Sequence, residues 1–219
     1  MVYAGNKGDR RFTLGVSGRL KDENLVMWDS ETNSLWSQIL GVALHGEAKG
    51  TELDMLPAIF VGLGTWKRMH PESKVLNLST VRAKGWYYTS EDLARGTVDD
   101  RRGTLDLGVG LRHGGDTLGV SMSKLHKDGL VPVEVGGVPL AIVWHEAEHA
   151  VLVYDRRIGD QPMDLVLEGT ELTYGDQRWD ALTGKTVADG PTLRRFPYLP
   201  TYMRAWKSYY EGGRILDDD

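Results

Sequence analysis

The amino-acid sequence predicts a mainly β protein of antiparallel strands, arranged as two tandem related units. The first unit is truncated, and each is closed by a short helix. Three observations carry this expectation. Short alternating or β-branched runs, divided by glycine and polar turns, recur along the chain. Glycine is abundant, 27 residues against 8 prolines, as a strand-and-turn protein requires. The chain also matches itself in three blocks that keep one order.

In the first block "VYAGNKGDRRFTLGVSG" (2–18) lies over "VYDRRIGDQPMDLVLEG" (153–169) without a gap. Next, "LWSQILG" (35–41) lies over "RWDALTG" (178–184), keeping Trp and Gly at one spacing. Last, "LPAIFVGLGTWKRMHPESKVL" (56–76) lies over "FPYLPTYMRAWKSYYEGGRIL" (196–216), with Pro57 on Pro197 and Trp66 on Trp206. Residues 1–76 are therefore expected to form a truncated first repeat and 104–219 a complete second one. The polar, charged stretch 77–103 reads as a linker or long surface loop between them. The two repeats can also fuse into one domain.

Within the second unit, "TLDLGVGL" and "TLGVSMSKL" alternate on either side of "RHGGD", a hairpin with a glycine turn. "VPVEV", "VPLAIVW" and "AVLVYD" are β-branched strands, and "MDLVLEG" alternates. Helical signal is confined to the repeat ends. Thr201 is expected to cap a segment carrying Met203, Trp206 and Tyr210 on one face, stopped by Gly212-Gly213. Its counterpart starts near Thr65 and stops before Pro71. Trp36, Trp66, Trp179 and Trp206 recur at matching places and are expected to be core anchors rather than a ligand platform.

Composition narrows the function classes. A formal charge of -5 and the lack of a basic stripe argue against a nucleic-acid face. No apolar run is long enough for a membrane span, and the start "MVYAGNKGDRR" lacks the apolar core of a signal peptide. Without cysteine there is no disulfide, thiolate nucleophile or zinc–sulfur centre. "GVSG" is not a nucleophile elbow, and "GVGLRHGG" and "GLGTWK" lack the spacing of nucleotide-binding loops. No catalytic residue set emerges.

The motif that invites chemistry is "WHEAEH" (144–149), where His145, Glu146 and His149 spell H-E-x-x-H. In zinc peptidases a helix sets residues i and i+4 on one face, so both imidazoles reach one metal. Here β-branched Val138, Ile142, Val143, Val151 and Val153 flank the motif, which predicts strand, turn, strand. A peptidase is thereby disfavoured. If Glu146-Ala147-Glu148 form the loop, His145 and His149 flank it as opposed residues, with Cβ atoms about 5 Å apart. Together with Glu146 or Glu148 they would make an N/O site for a divalent transition metal, zinc or copper. The competing expectation is a solvated polar turn. Function is thus expected in one of two classes: a metal-dependent enzyme or metal carrier, or a non-catalytic binding or scaffolding domain.

The run "FTLGVSGRLKDENLVMWDSETNSLWSQILGVALHGEAKGTELDMLP" resembles the prokaryotic family known as domain of unknown function 3179. That family carries similar runs of the form G-V-S-G-x-L…N-L-V-M-x-D…T-x-S-L-W-S-Q, and "VEVGGVPLAIVW" and "VYDRR" resemble its preceding strands. The resemblance implies an unassigned activity and, since members are often exported, an extracytoplasmic location. It also implies a C-P-L-C-G-T turn ahead of the G-V-S-G block. In the second unit the equivalent stretch is "HEAEHA", with His145 and Glu148 on the cysteine positions. The first unit begins after that turn, so its sheet is expected to have an uncovered edge, filled by residues 104–152 or by a second copy in a homodimer.

Overall fold

The computed structural model describes residues 1–22, 24–74, 97–100 and 103–217. Strand dominates, with three short α-helices among the described residues. The chain begins with a tight hairpin, β1 (Asn6–Lys7) and β2 (Arg10–Arg11). An antiparallel meander follows, β3 (Leu14–Lys21), β4 (Asn24–Asp29), β5 (Leu35–Ser37) and β6 (Val42–His45), in that spatial order. It encloses a small core of Phe12, Met27, Trp36, Ala43, Ala48 and Leu53. Helix α1 (Leu63–Met69) closes the region.

Most of the expected linker lies outside the described residues. Its end is sheet instead: β7 (Thr97–Asp100) pairs antiparallel with β8 (Gly103–His113). β8 turns through Gly114-Gly115 into β9 (Asp116–Ser121), both glycines at positive φ as a two-residue hairpin turn demands. The sequence reading extended β9 through "SMSKL", but helix α2 (Met122–Asp128) begins there. The Ser121 side chain accepts the Lys124 N–H at 3.3 Å, while Met122 and Leu125 go into the core. Then come β10 (Leu130–Val135), β11 (Val138–His145) and β12 (Ala150–Asp155), all antiparallel neighbours.

A second tight hairpin, β13 (Arg157–Ile158) and β14 (Gln161–Pro162), leads into the meander β15 (Val166–Glu168), β16 (Glu171–Tyr174) and β17 (Gln177–Asp180). β18 (Arg194–Arg195) joins the edge of β12, and β19 (Leu199–Tyr202) joins β8. Helix α3 (Met203–Tyr209) and β20 (Arg214–Leu216), parallel to β9, complete the chain. The expected Thr201 cap is not made. Thr201 lies in β19 opposite Gly108, and the helix starts one residue later than a Thr201 cap would set it.

The sheet β10-β11-β12-β18 is covered on both sides. Leu140, Ile142, Trp144, Val151 and Val153 pack against Val109, Leu111, Leu118 and Val120 of β8 and β9. Ala141, Val143, Ala150, Leu152 and Tyr154 pack the other way, against Met163, Leu165, Leu172 and Trp179. This explains why "LAIVW" and "AVLVY" are continuously apolar: no face meets water. On the outer side of β8 and β9, Met203 and Trp206 of α3 lie on a glycine floor. A Cβ at Gly108 would stand 2.1 Å from Met203 Sδ, and one at Gly110 2.1 Å from Trp206 Cζ3.

The N-terminal region meets this body at several places, two of them apolar. Ile39 packs on Leu199, Met203 and Trp206. Phe60 bridges to Val151 of β12 and donates its backbone N–H to the Tyr198 hydroxyl at 3.2 Å, while Ile59 and Val61 join the core beneath. Of the four tryptophans expected in the core, Trp36, Trp179 and Trp206 are buried. Trp66 is 40% exposed, because among the described residues its helix has no glycine floor like the one under α3.

Candidate functional site

The H-E-x-x-H letters fall on a hairpin. β11 ends at His145, Glu146–Glu148 form one 3₁₀ turn, and β12 begins at Ala150. The expected opposition of His145 and His149 does not occur. His145 pairs with Ala150, and His149 closes the loop in the left-handed region at φ 45°. Its N–H donates to the Glu146 carbonyl at 3.2 Å, so the loop holds four residues rather than three.

One extra loop residue sends the two imidazoles apart. The His149 ring lies parallel to Trp144, with centroids 6.1 Å apart and planes 2° apart. Trp144 belongs to the core shared with β8 and β9. Its strand neighbour His145 therefore projects from the opposite face, and is only 6% exposed there. The acidic residues are engaged too. Glu146 accepts the Trp144 indole N–H, and Glu148 accepts both the Thr65 hydroxyl and an Arg68 N–H from α1. The hydrogen bond from Thr65 lowers the Glu148 carboxyl from its ordinary value; burial opposes this, and Arg68 adds to it. His145 Nδ1 is buried with no hydrogen-bond partner among the described residues.

Of the four residues expected to hold a metal, Glu148 is taken up by Thr65 and Arg68. His149 and Glu146 are drawn to Trp144. Among the described residues, no group of three or more His, Cys, Asp or Glu comes close enough to hold a metal ion. Thr65 and Arg68 were invisible to the motif reading, since they lie 83 and 80 residues from Glu148.

A second constellation was also missed. Asp155, at the end of β12, is buried, and its carboxylate accepts Arg157 Nε–H at 2.8 Å and an Arg157 terminal N–H at 2.6 Å. Arg194, its register partner on β18, donates to the same carboxylate. Burial pushes the Asp155 carboxyl up, but the hydrogen bonds and charges of the two guanidiniums outweigh it and hold the group below its ordinary range. The signal was in the sequence: a charged "DRR" directly follows the apolar strand "AVLVY". With Gly159, Asp160 and Thr192 these residues line an open cleft of about 300 Å³. No curated protein and no solved structure matches this chain. The match lies with a family model, which spans residues 1–213, and the chain belongs to the family described as protein of unknown function (DUF3179).

Proposed function

We propose that the chain is a non-catalytic binding or scaffolding domain made of two related units, in which the 144–149 turn is a joint rather than a reaction centre. The observation that carries this is the engagement of Glu148 by Thr65 and Arg68, which fastens α1 to the β11–β12 hairpin. Thr65 and Arg68 both bind one oxygen of Glu148, and the neighbouring Glu146 binds the Trp144 indole, so both acids already serve contacts within the protein. Support for two related units comes from repeated detail. Tyr3 donates its hydroxyl to the Gln38 carbonyl and Tyr154 to the Ala181 carbonyl, both pairs aligned in the sequence comparison. Met27 pairs with Trp36 in the first meander, and Leu172 with Trp179 in the second. In the same reading, a second copy covers the edge strand β3, where Val16 is 71% exposed. Light scattering tests this part, and a monomer at all concentrations ends it.

A metal reading keeps one favourable observation, the unpartnered buried Nδ1 of His145 on the side of Glu148. Elemental analysis of protein purified without an affinity tag separates the two. Zinc or copper far below one ion per chain supports the joint. Stoichiometric metal that is lost in His145→Ala overturns it. A family tendency to export makes an extracytoplasmic location part of the proposal, tested by fractionating the host cell.

A further inference from the structure

We propose that the cleft between Arg157 and Arg194 binds a small oxyanion, the carboxylate or phosphate group of a polar molecule, with buried Asp155 holding both guanidiniums in place. This deepens the binding-domain reading, on which it rests, by naming a ligand class.

The cluster is lopsided in exposure. Asp155, its side chain 5% exposed, serves two guanidiniums that are 28% and 73% exposed, so the cationic groups face the cleft while Asp160 at the rim balances the lining's formal charge. A guanidinium carries five N–H donors. Asp155 uses two from Arg157 and one from Arg194, and the remaining donors make no hydrogen bond to the described residues. The planar fork that fixes Arg157 against Asp155 also fixes the direction of its other donors, which is the preorganisation that anion sites need. Lining by Asp155, Arg157, Gly159, Asp160, Thr192 and Arg194 includes no apolar side chain, which rules against a hydrophobic ligand. Its volume of about 300 Å³ suits a small molecule.

The fold itself does not require these charges here. In the N-terminal region the same backbone arrangement is built with an exposed ion pair, Lys7 and Asp54 at 2.5 Å, and with no buried carboxylate. β1 and β2 pair as Asn6↔Arg11 and Lys7↔Arg10, while β13 and β14 pair as Arg157↔Pro162 and Ile158↔Gln161. Tyr3 bridges to Met55 and the Ala4 N–H donates to the Asp54 carbonyl at 2.8 Å. In the second region Tyr154 pairs with Arg195 and Asp155 with Arg194. Ala4, Asn6 and Asp54 thus stand where the other region has Asp155, Arg157 and Arg194. A hairpin that forms around alanine and asparagine has no structural need for a buried carboxylate with two cations, an arrangement that carries a desolvation penalty. Binding accounts for its presence. Asp160, exposed at the rim and acting on Arg157, weakens the site's pull on anions and gives a way to tune it.

Titration calorimetry on the full chain, with inorganic phosphate and separately with citrate, tests the proposal. Saturable 1:1 binding of at least one probe is expected, and which one binds separates phosphoryl from carboxylate ligands. Arg157→Gln should weaken it at least ~10-fold, as loss of a charge-assisted bidentate donor does. Asp160→Asn should strengthen it by ~2- to 5-fold, since a like charge is removed from the rim. If Arg157→Gln does not fold, Asp160→Asn carries the test alone, because it lies outside the Asp155 hydrogen bonds. No binding of either probe, or binding indifferent to these substitutions, overturns the proposal. A null result here leaves the elemental analysis of the turn unaffected, and metal at the turn leaves this cleft unaffected, so the two readings fail separately.

Discussion

Residues 2–69 and 153–209 use many of the same local devices and reach different degrees of burial. In both, a tyrosine hydroxyl reaches the carbonyl that directly follows the meander's third strand, and a tryptophan on that strand is fully covered. Both end in a seven-residue helix, and in both an aromatic ring four residues on lies against the helix tryptophan: His70 on Trp66, Tyr210 on Trp206. Trp206 is nevertheless 0% exposed and Trp66 40%. The difference is not in the helices but in what faces them. α3 lies on the glycine floor of β8 and β9, whereas α1 is fastened by polar contacts to the 148 turn. Similar segments take their energetic weight from their partners.

Substitution at the two helix tryptophans should break this comparison most sharply. Trp206→Ala is expected to cost about 3–5 kcal/mol, by loss of burial and the cavity left behind. Trp66→Ala should cost less than about 1 kcal/mol, as at other exposed sites. Urea unfolding of both variants measures the contrast, and equal losses would contradict it. The glycines repeat the test from the other side. Gly110→Ala sets a Cβ 2.1 Å from the Trp206 ring and should destabilise by about 1–3 kcal/mol. At Gly64, in α1, a Cβ would find its nearest neighbour at 3.8 Å, so Gly64→Ala should be neutral or stabilise by up to about 1 kcal/mol.

Acid sharpens the contrast between Asp155 and Ala4, which falls on it in the sequence alignment. The Asp155 carboxyl is lowered on folding from an ordinary 3.8, so its stabilisation is complete at neutral pH and is lost as pH falls below about 4, through the folded-state value. Asp155→Asn should cost about 2 kcal/mol at pH 7 and flatten the fall of melting temperature below about pH 4. A melting curve with unchanged acid slope would remove Asp155 from the account.

The smallest expected effect is at the joint. Glu148→Gln keeps an acceptor for Thr65 but loses the charge for Arg68, a side chain 63% exposed, so about 1 kcal/mol or less should be lost. The informative readout is local. Hydrogen exchange should quicken in 60–70 and stay unchanged in β11 and β12, because only the fastening of α1 is weakened. Faster exchange throughout the hairpin would mean that Glu148 holds the turn itself.

The sequence by itself determined what short-range backbone preferences decide. β-branched runs on both sides of "WHEAEH" made a hairpin of it, and the glycine pairs at 114–115 and 136–137 set two-residue turns. The alternation around "LDLGVGL" marked a strand with glycine on one face. What those glycines were for could not be read there, because their partners Met203 and Trp206 lie nearly a hundred residues away. Nor could the left-handed turn at His149, which sets the imidazoles on opposite faces, or the capture of Glu148 by Thr65. Propensity and pattern act over a few residues. Which side chains meet, and whether a charge is free or already held, is decided by non-local packing of whole strands and helices, and only the tertiary structure carries that.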